Sequence, residues 1–145
     1  MRIADLVRAD RLERVPADPP TARASLEEAR RHLASARLVA TADPNGAYAL
    51  LYDAARKALS AHMLASGFRA TVRPRAHEAV GLYALEALAS HSGAASVGHF
   101  DRMRRNRNRT EYGLRTFGAA EIARDLAHAT AIVDAVDEAL AGAGV

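Results

Sequence analysis

Apolar side chains return at intervals of three and four residues along most of the chain, the repeat of a helix with one buried face. Ala22, Leu26, Ala29, Leu33, Ala36 and Ala40 form one stripe and predict a helix from about Thr21 to Ala40. Its opposite face carries Glu27, Arg30, Arg31 and Arg37. Asp43-Pro44-Asn45-Gly46 reads as a turn, because each of these residue types favours a turn conformation. A second helix follows from about Ala47 to Ser66, with Tyr48, Leu51, Tyr52, Ala55, Leu59 and Met63 as its stripe and Gly67 as its stop.

The pattern then shortens. Residues 69–75 read as a basic loop containing Pro74. Val80, Tyr83, Leu85 and Leu88 predict a third helix from about His77 to Ser90, closed by His91-Ser92-Gly93. A fourth runs from Ser96 or Val97 to Tyr112, with Gly113 behind it. Ile122, Leu126, Ala129, Val133, Val136 and Leu140 make a heptad-like seam for a last helix, Ala119 to Ala141. Upstream, Ile3, Leu6, Val7 and Leu12 give a short helical pattern, and Pro16, Pro19 and Pro20 break the chain after it. No stretch alternates with period two, so no sheet is expected. Short connections between long helices favour antiparallel neighbours. The expected fold is therefore all-α. It is an antiparallel up-and-down bundle of four main helices, with a short N-terminal helix and a fifth helix added. Residues 1–145 form one domain, and residues 1–20 are an N-terminal helix and proline-rich linker packed on the bundle.

Composition narrows the picture. Half of the residues are hydrophobic and only 5% are aromatic, so the core should rest on close helix contacts between small side chains. The absence of cysteine excludes disulfides, thiolate catalysis and cysteine zinc sites. Glu28 with His32, and Asp125 with His128, share helix faces, but neither repeats the Glu-x-x-His pairs of a di-iron bundle. No metal and no cofactor is expected. Residues 1–15 are charged throughout and lack the apolar core of a signal peptide. No apolar run approaches the roughly 20 residues of a membrane span, so no membrane role is expected and a cytoplasmic location is the default.

The net charge is +3 and the isoelectric point about 9.8. The charge is concentrated in one segment, Phe100 to Tyr112, where Arg102, Arg104, Arg105, Arg107 and Arg109 crowd together. At roughly 100° per residue, Arg102, Arg105, Arg109 and Tyr112 share one outer face, with Asp101 and Asn108 beside it. Phe100, Met103 and Leu114 point toward the core. Arginine forks match phosphates, and a tyrosine can stack on a base, so Arg102, Arg104, Arg105, Arg107, Asn108 and Arg109 are candidate nucleic-acid contacts. A plain solvated face, with the arginines paired to Asp101, Glu111 or acids of the last helix, fits the same residues. The last segment carries Glu121, Asp125, Asp134, Asp137 and Glu138 against Arg124, which makes it the acidic counterpart of the arginine helix.

Three segments carry a resemblance: Asp43 to Tyr48 running into Tyr52 to Leu59; Gly67-Phe68-Arg69 leading to His77-Glu78-Ala79-Val80; and Arg105 to Tyr112. Over about residues 20–141 the chain resembles a HEPN domain, the helical family named for higher eukaryotes and prokaryotes nucleotide-binding. The toxin-like branch of its metal-independent endoribonucleases carries Arg-Asn-x-x-x-His-x-Tyr. Arg105 and Asn106 match the start and Tyr112 the end, as catalytic candidates, but the histidine position holds Thr110. Threonine is no general base near neutral pH, whereas imidazole is. His62, His77 and His99 are the histidines that could substitute. The resemblance implies a HEPN-like fold and a homodimer through the motif helix. It also implies a link to RNA and to toxin–antitoxin or defence systems. In such systems a minimal nucleotidyltransferase partner modifies the motif tyrosine, so Tyr112 is a modification candidate. Three readings stay open: an RNA-associated or regulatory protein with a degenerate motif, an active endoribonuclease toxin, and a non-enzymatic module binding an acidic protein partner.

Overall fold

The computed structural model describes residues 2–113 and 115–145, except for the side chain of Glu111. The expected inward position of Leu114 and the pairing of Glu111 therefore lie outside the described residues. The chain is mostly helical: α1 (Ile3–Arg8), α2 (Pro19–Val39), α3 (Pro44–Ala65), α4 (Ala79–Ala87), α5 (Ala94–Val97), α6 (Phe100–Glu111) and α7 (Ala119–Gly142).

Helices α2 and α3 each begin earlier than the apolar stripe suggests, because a proline opens them. Asp18 accepts a hydrogen bond from the Thr21 amide at 3.2 Å, and Asp43 accepts one from the Gly46 amide at 3.0 Å. Each aspartate caps a helix whose first position is proline, a residue with no amide hydrogen to leave unsatisfied. Asp43 to Gly46 is thus the start of α3 and not a separate turn. Gly67, with φ of +86°, follows α3 in the left-handed conformation that ends helices.

The α2–α3 hairpin and α7 build the main core. Arg23 of α2 reaches Asp137 and the Val145 carbonyl, each at 2.8 Å, while Arg37 reaches Thr130 at 3.1 Å. Helices α2 and α7 therefore run antiparallel. Tyr52 of α3 stacks on Phe100 of α6 with centroids 5.4 Å apart, and Asn106 meets Tyr48, which sets α6 antiparallel to α3. Successive long helices thus alternate up and down, and α3 and α7 face each other across the middle. Ala54, Ala55 and Ala58 of α3 and Ala129 of α7 are fully buried, and such small side chains let helices approach closely.

Two expectations are corrected. A small sheet exists: β1 (Leu12–Arg14) pairs antiparallel with β2 (Phe68–Ala70). The second half of the N-terminal helical pattern is strand, because Leu12 is needed as one inward side chain and not as part of a helical stripe. Leu6, Leu12, Met63, Ala79 and Tyr83 close a second, smaller core beneath this ribbon. It joins the N-terminal segment to α3 and α4. The predicted third and fourth helices are also broken up. A 3-10 turn, Ala76–Glu78, leads into a short α4, and the chain bends between α5 and α6. The bend lets Gly93, the cap of α5, lie against α7 while α6 packs on α3. A Cβ on Gly93 would stand 2.7 Å from the Ala131 carbonyl oxygen. Among the described residues no helix is long and apolar enough to cross a membrane.

Candidate functional site

The arginines of helix α6 divide into three groups around its axis. Phe100 and Met103 are buried, as the spacing predicts. Arg102 departs from the predicted outer face and turns toward α7. Its guanidinium holds Asp125 with two bonds, at 3.2 and 2.8 Å. Arg102 is 30% exposed and Asp125 not at all. A carboxylate buried on the apolar seam of α7 needs a cation, and Arg102 sits one helical face away from Met103, within its reach.

Asp125 is the hub of an internal network. The Tyr48 hydroxyl donates to it at 2.7 Å, and Arg124 adds two longer bonds. Burial pushes the Asp125 carboxyl upward, yet the bonds from Arg124, Arg102 and Tyr48 outweigh it and hold the group below its ordinary value. Burial, next to an anionic partner, pushes the Tyr48 phenol well above its usual range, so it stays a donor. The Asn106 amide donates to the Tyr48 hydroxyl at 3.2 Å and accepts from Arg115 at 2.9 Å. Phe117 lies flat on Tyr48, centroids 3.8 Å apart, and the Arg115 guanidinium lies over the Phe117 ring, 4.8 Å from its centroid. Arg115 also pairs with Glu121. Together these contacts join α3, α6 and α7.

The motif residues are thereby drawn apart. Asn106 is buried and fully engaged. The Thr110 hydroxyl donates back to the Asn106 carbonyl at 3.1 Å, a bond within its own helix. Arg105 is 58% exposed and pairs with Asp101. Arg109 is exposed, and Tyr112 is 79% exposed at the helix end. Arg105, Arg109 and Tyr112 are the outer face, as the spacing predicts; Arg102 is not part of it.

A third group faces α3. Arg104, Arg107 and Asn108 line an open polar cavity of about 360 Å³ with Tyr52, Asp53 and Arg56 of α3 and His77 of the 3-10 turn. Of the three histidines considered as substitutes, His77 alone stands there. The His62 ring nitrogen Nδ1 bonds the Tyr83 hydroxyl at 2.8 Å, and His99 stacks on His128 with centroids 4.1 Å apart. Tyr52, which the spacing assigns to the apolar stripe of α3, and Arg56, one turn on, both line this cavity. The signal is Tyr52 at the edge of the stripe, with Asp53 and Arg56 beside it. Asp125 was also legible: three residues after Ile122 and four before Ala129, it falls on the buried seam.

The acids of α7 are engaged within the molecule. Glu121 meets Arg115, and Asp125 meets Arg102 and Arg124. Asp134 and Asp137 meet Arg30, and Asp137 also meets Arg23. Glu138 lies 3.2 Å from Ser92. Four of these five acids, Glu121, Asp125, Asp134 and Asp137, are thus paired with arginines of the same chain.

No protein-family model, no curated protein and no solved structure matches this chain.

Proposed function

We propose that this protein is a HEPN-like, RNA-associated component of a toxin–antitoxin or defence system, with a degenerate ribonuclease motif. The observation that carries the proposal is the dispersal of the motif. Asn106 is bound into the core by Tyr48 and Arg115, and Thr110 is bonded to its own helix. Arg105 and Arg109 meanwhile point outward with Tyr112. A general base must stand within hydrogen-bond reach of the proton it takes, and among the described residues the partner of Arg105 is Asp101, which it already neutralises, and not a histidine. What remains on the outer face is a phosphate-holding strip with an aromatic ring at its end. The engagement of every acid of α7 supports RNA over an acidic face of a second copy as the partner of this strip. The exposure of Tyr112 supports its accessibility to a nucleotidyltransferase partner. The homodimer through α6 remains part of the proposal on the strength of the resemblance.

The test is equilibrium binding of a single-stranded RNA across a salt series, with the same RNA followed for cleavage. Binding should weaken steeply with salt, because phosphate contacts release counterions. Replacing Arg105 and Arg109 with alanine should lower the log–log salt slope by about 1.4, the value for two single-strand phosphate contacts. The RNA should stay intact. Cleavage that disappears in Arg105→Ala would instead establish the active endoribonuclease. Failure to bind RNA even at low salt would favour the acidic protein partner.

A further inference from the structure

Helices α2 and α7 leave an open groove between them, lined mostly by apolar side chains. It comprises two adjoining cavities, of about 330 and 520 Å³, which share Arg37, Ala123 and Leu126. From Ala119 to Asp134 the groove follows α7 for about four turns, roughly 22 Å at 1.5 Å per residue. Ala40 of α2, Pro44 at the start of α3, and Ile122 and Leu126 of α7 supply apolar walls. Ala123 and Ala127 are exposed along the floor, and such small side chains let a helix lie close against α7. A trough of this length suits an amphipathic helix, whose apolar residues one turn apart face the floor.

The charged side chains on the walls are Arg37 and Asp134. Asp134 is already paired within the chain. It meets Arg30 at 2.5 Å, Arg30 also meets Asp137 at 3.1 Å, and Asp137 meets Arg23 at 2.8 Å. These two arginines and two aspartates balance. Asp43, next to Pro44, is turned to the Gly46 amide as the cap of α3. Arg37 differs from all of these. Its guanidinium donates to the Thr130 hydroxyl at 3.1 Å, and among the described residues no carboxylate pairs with it. Thr130 in turn donates to the Leu126 carbonyl at 2.8 Å. A guanidinium has five N–H donors in a planar fork. One is used on Thr130, and the others remain for a ligand where the two cavities join. The group that matches them there is a carboxylate.

The uncompensated cation also decides between occupants. A second copy docking by this face would use the same patch on both sides, as two-fold symmetry requires. It would bring a second Arg37, and a second Asp134 already paired to Arg30, so neither Arg37 would gain a carboxylate from the patch. A helix of a different protein has no such restriction. We propose that the groove between α2 and α7 receives an amphipathic helix of a partner protein, whose apolar face carries one aspartate or glutamate placed to accept the Arg37 fork. The groove lies on α2 and α7 and the outer arginine strip on α6, so this proposal does not rest on RNA binding.

The probe is a displayed library of helical peptides about four turns long, randomised along one face and selected on the full chain. The expected consensus is apolar with a single acidic position near its centre. A synthetic peptide of that consensus should bind saturably. Changing its acid to lysine should weaken binding about tenfold, because attraction gives way to like-charge contact. Arg37→Gln should abolish that difference. Ala127→Gln, which raises a longer side chain from the floor, should abolish binding altogether. Both positions are exposed, and urea midpoints equal to that of the parent chain check that both variants are folded. A library that yields no binder, a consensus without the acid, or binding that survives Ala127→Gln overturns the proposal. Sedimentation of the chain alone tests the other occupant: a dimer that Ala127→Gln splits assigns the groove to a second copy and overturns the proposal as well.

Discussion

Asn106 shows how one residue can satisfy a catalytic pattern for an architectural reason. Its amide is oriented by a donor on one side, Arg115, and by the Tyr48 oxygen on the other. The Tyr48 hydroxyl is the shared atom, since it also donates to Asp125. Tyr48→Phe removes the hydroxyl and keeps the ring against Phe117. It leaves Asn106 and Asp125 each short of one partner, so a loss of about 1–3 kcal/mol in unfolding free energy is expected, read by urea denaturation. A loss near zero would mean that the network carries no net stability. The sequence made Arg105, Asn106 and Tyr112 conspicuous through their spacing. It could not reveal that Asn106 points inward, because that depends on Tyr48 and Arg115, distant in sequence and brought together by the fold.

At the level of elements, the long helices were legible and the short ones were not. Helices α2, α3 and α7 have continuous apolar stripes, and each lies close to its predicted span. The stretch from Ala76 to Val97 has too few turns for a period to emerge, and its breaks follow from the packing of α5 on α7 and α6 on α3. Gly93 is where that packing is tightest. A methyl group there would also come within 2.7 Å of the Ala135 Cβ. Gly93→Ala should therefore cost about 1–3 kcal/mol through overpacking, visible as a lowered urea midpoint. An unchanged midpoint would show that α5 can lift from α7 freely. The strands were hidden for another reason: three residues each are too few to display alternation.

Across the whole molecule, acid sensitivity should come in two stages. Burial lowers the affinity of His62 for a proton, helped by His91, and burial with His99 nearby does the same for His128. The unfolded chain takes up these protons near the ordinary histidine value of 6.5, while the folded chain resists them. Stability is thus complete above that value and declines as pH falls below it. Asp53, Asp125 and Asp137 are shifted downward. Their contribution is present above the ordinary aspartate value of 3.8 and is lost as pH falls through their lower folded values. Urea midpoints measured from pH 8 to pH 3 should show both declines, and His62→Gln should flatten the first. A midpoint constant from pH 8 to pH 5 would contradict the histidine assignment.

The β1–β2 ribbon has a consequence for the order in which the chain can assemble. Its paired residues are 54 to 58 positions apart in sequence, and the entropy of closing a loop rises with its length. The α2–α3 hairpin shortens that distance, because it returns Leu64 to Asp18, whose amide donates to the Leu64 carbonyl at 3.2 Å. Val15 then reaches the Gly67 carbonyl at 2.9 Å, three residues from each of those. The ribbon is in effect a zipper whose teeth are brought level by another element. Its formation is conditional on the hairpin, and the N-terminal segment is a late passenger in folding, not a seed.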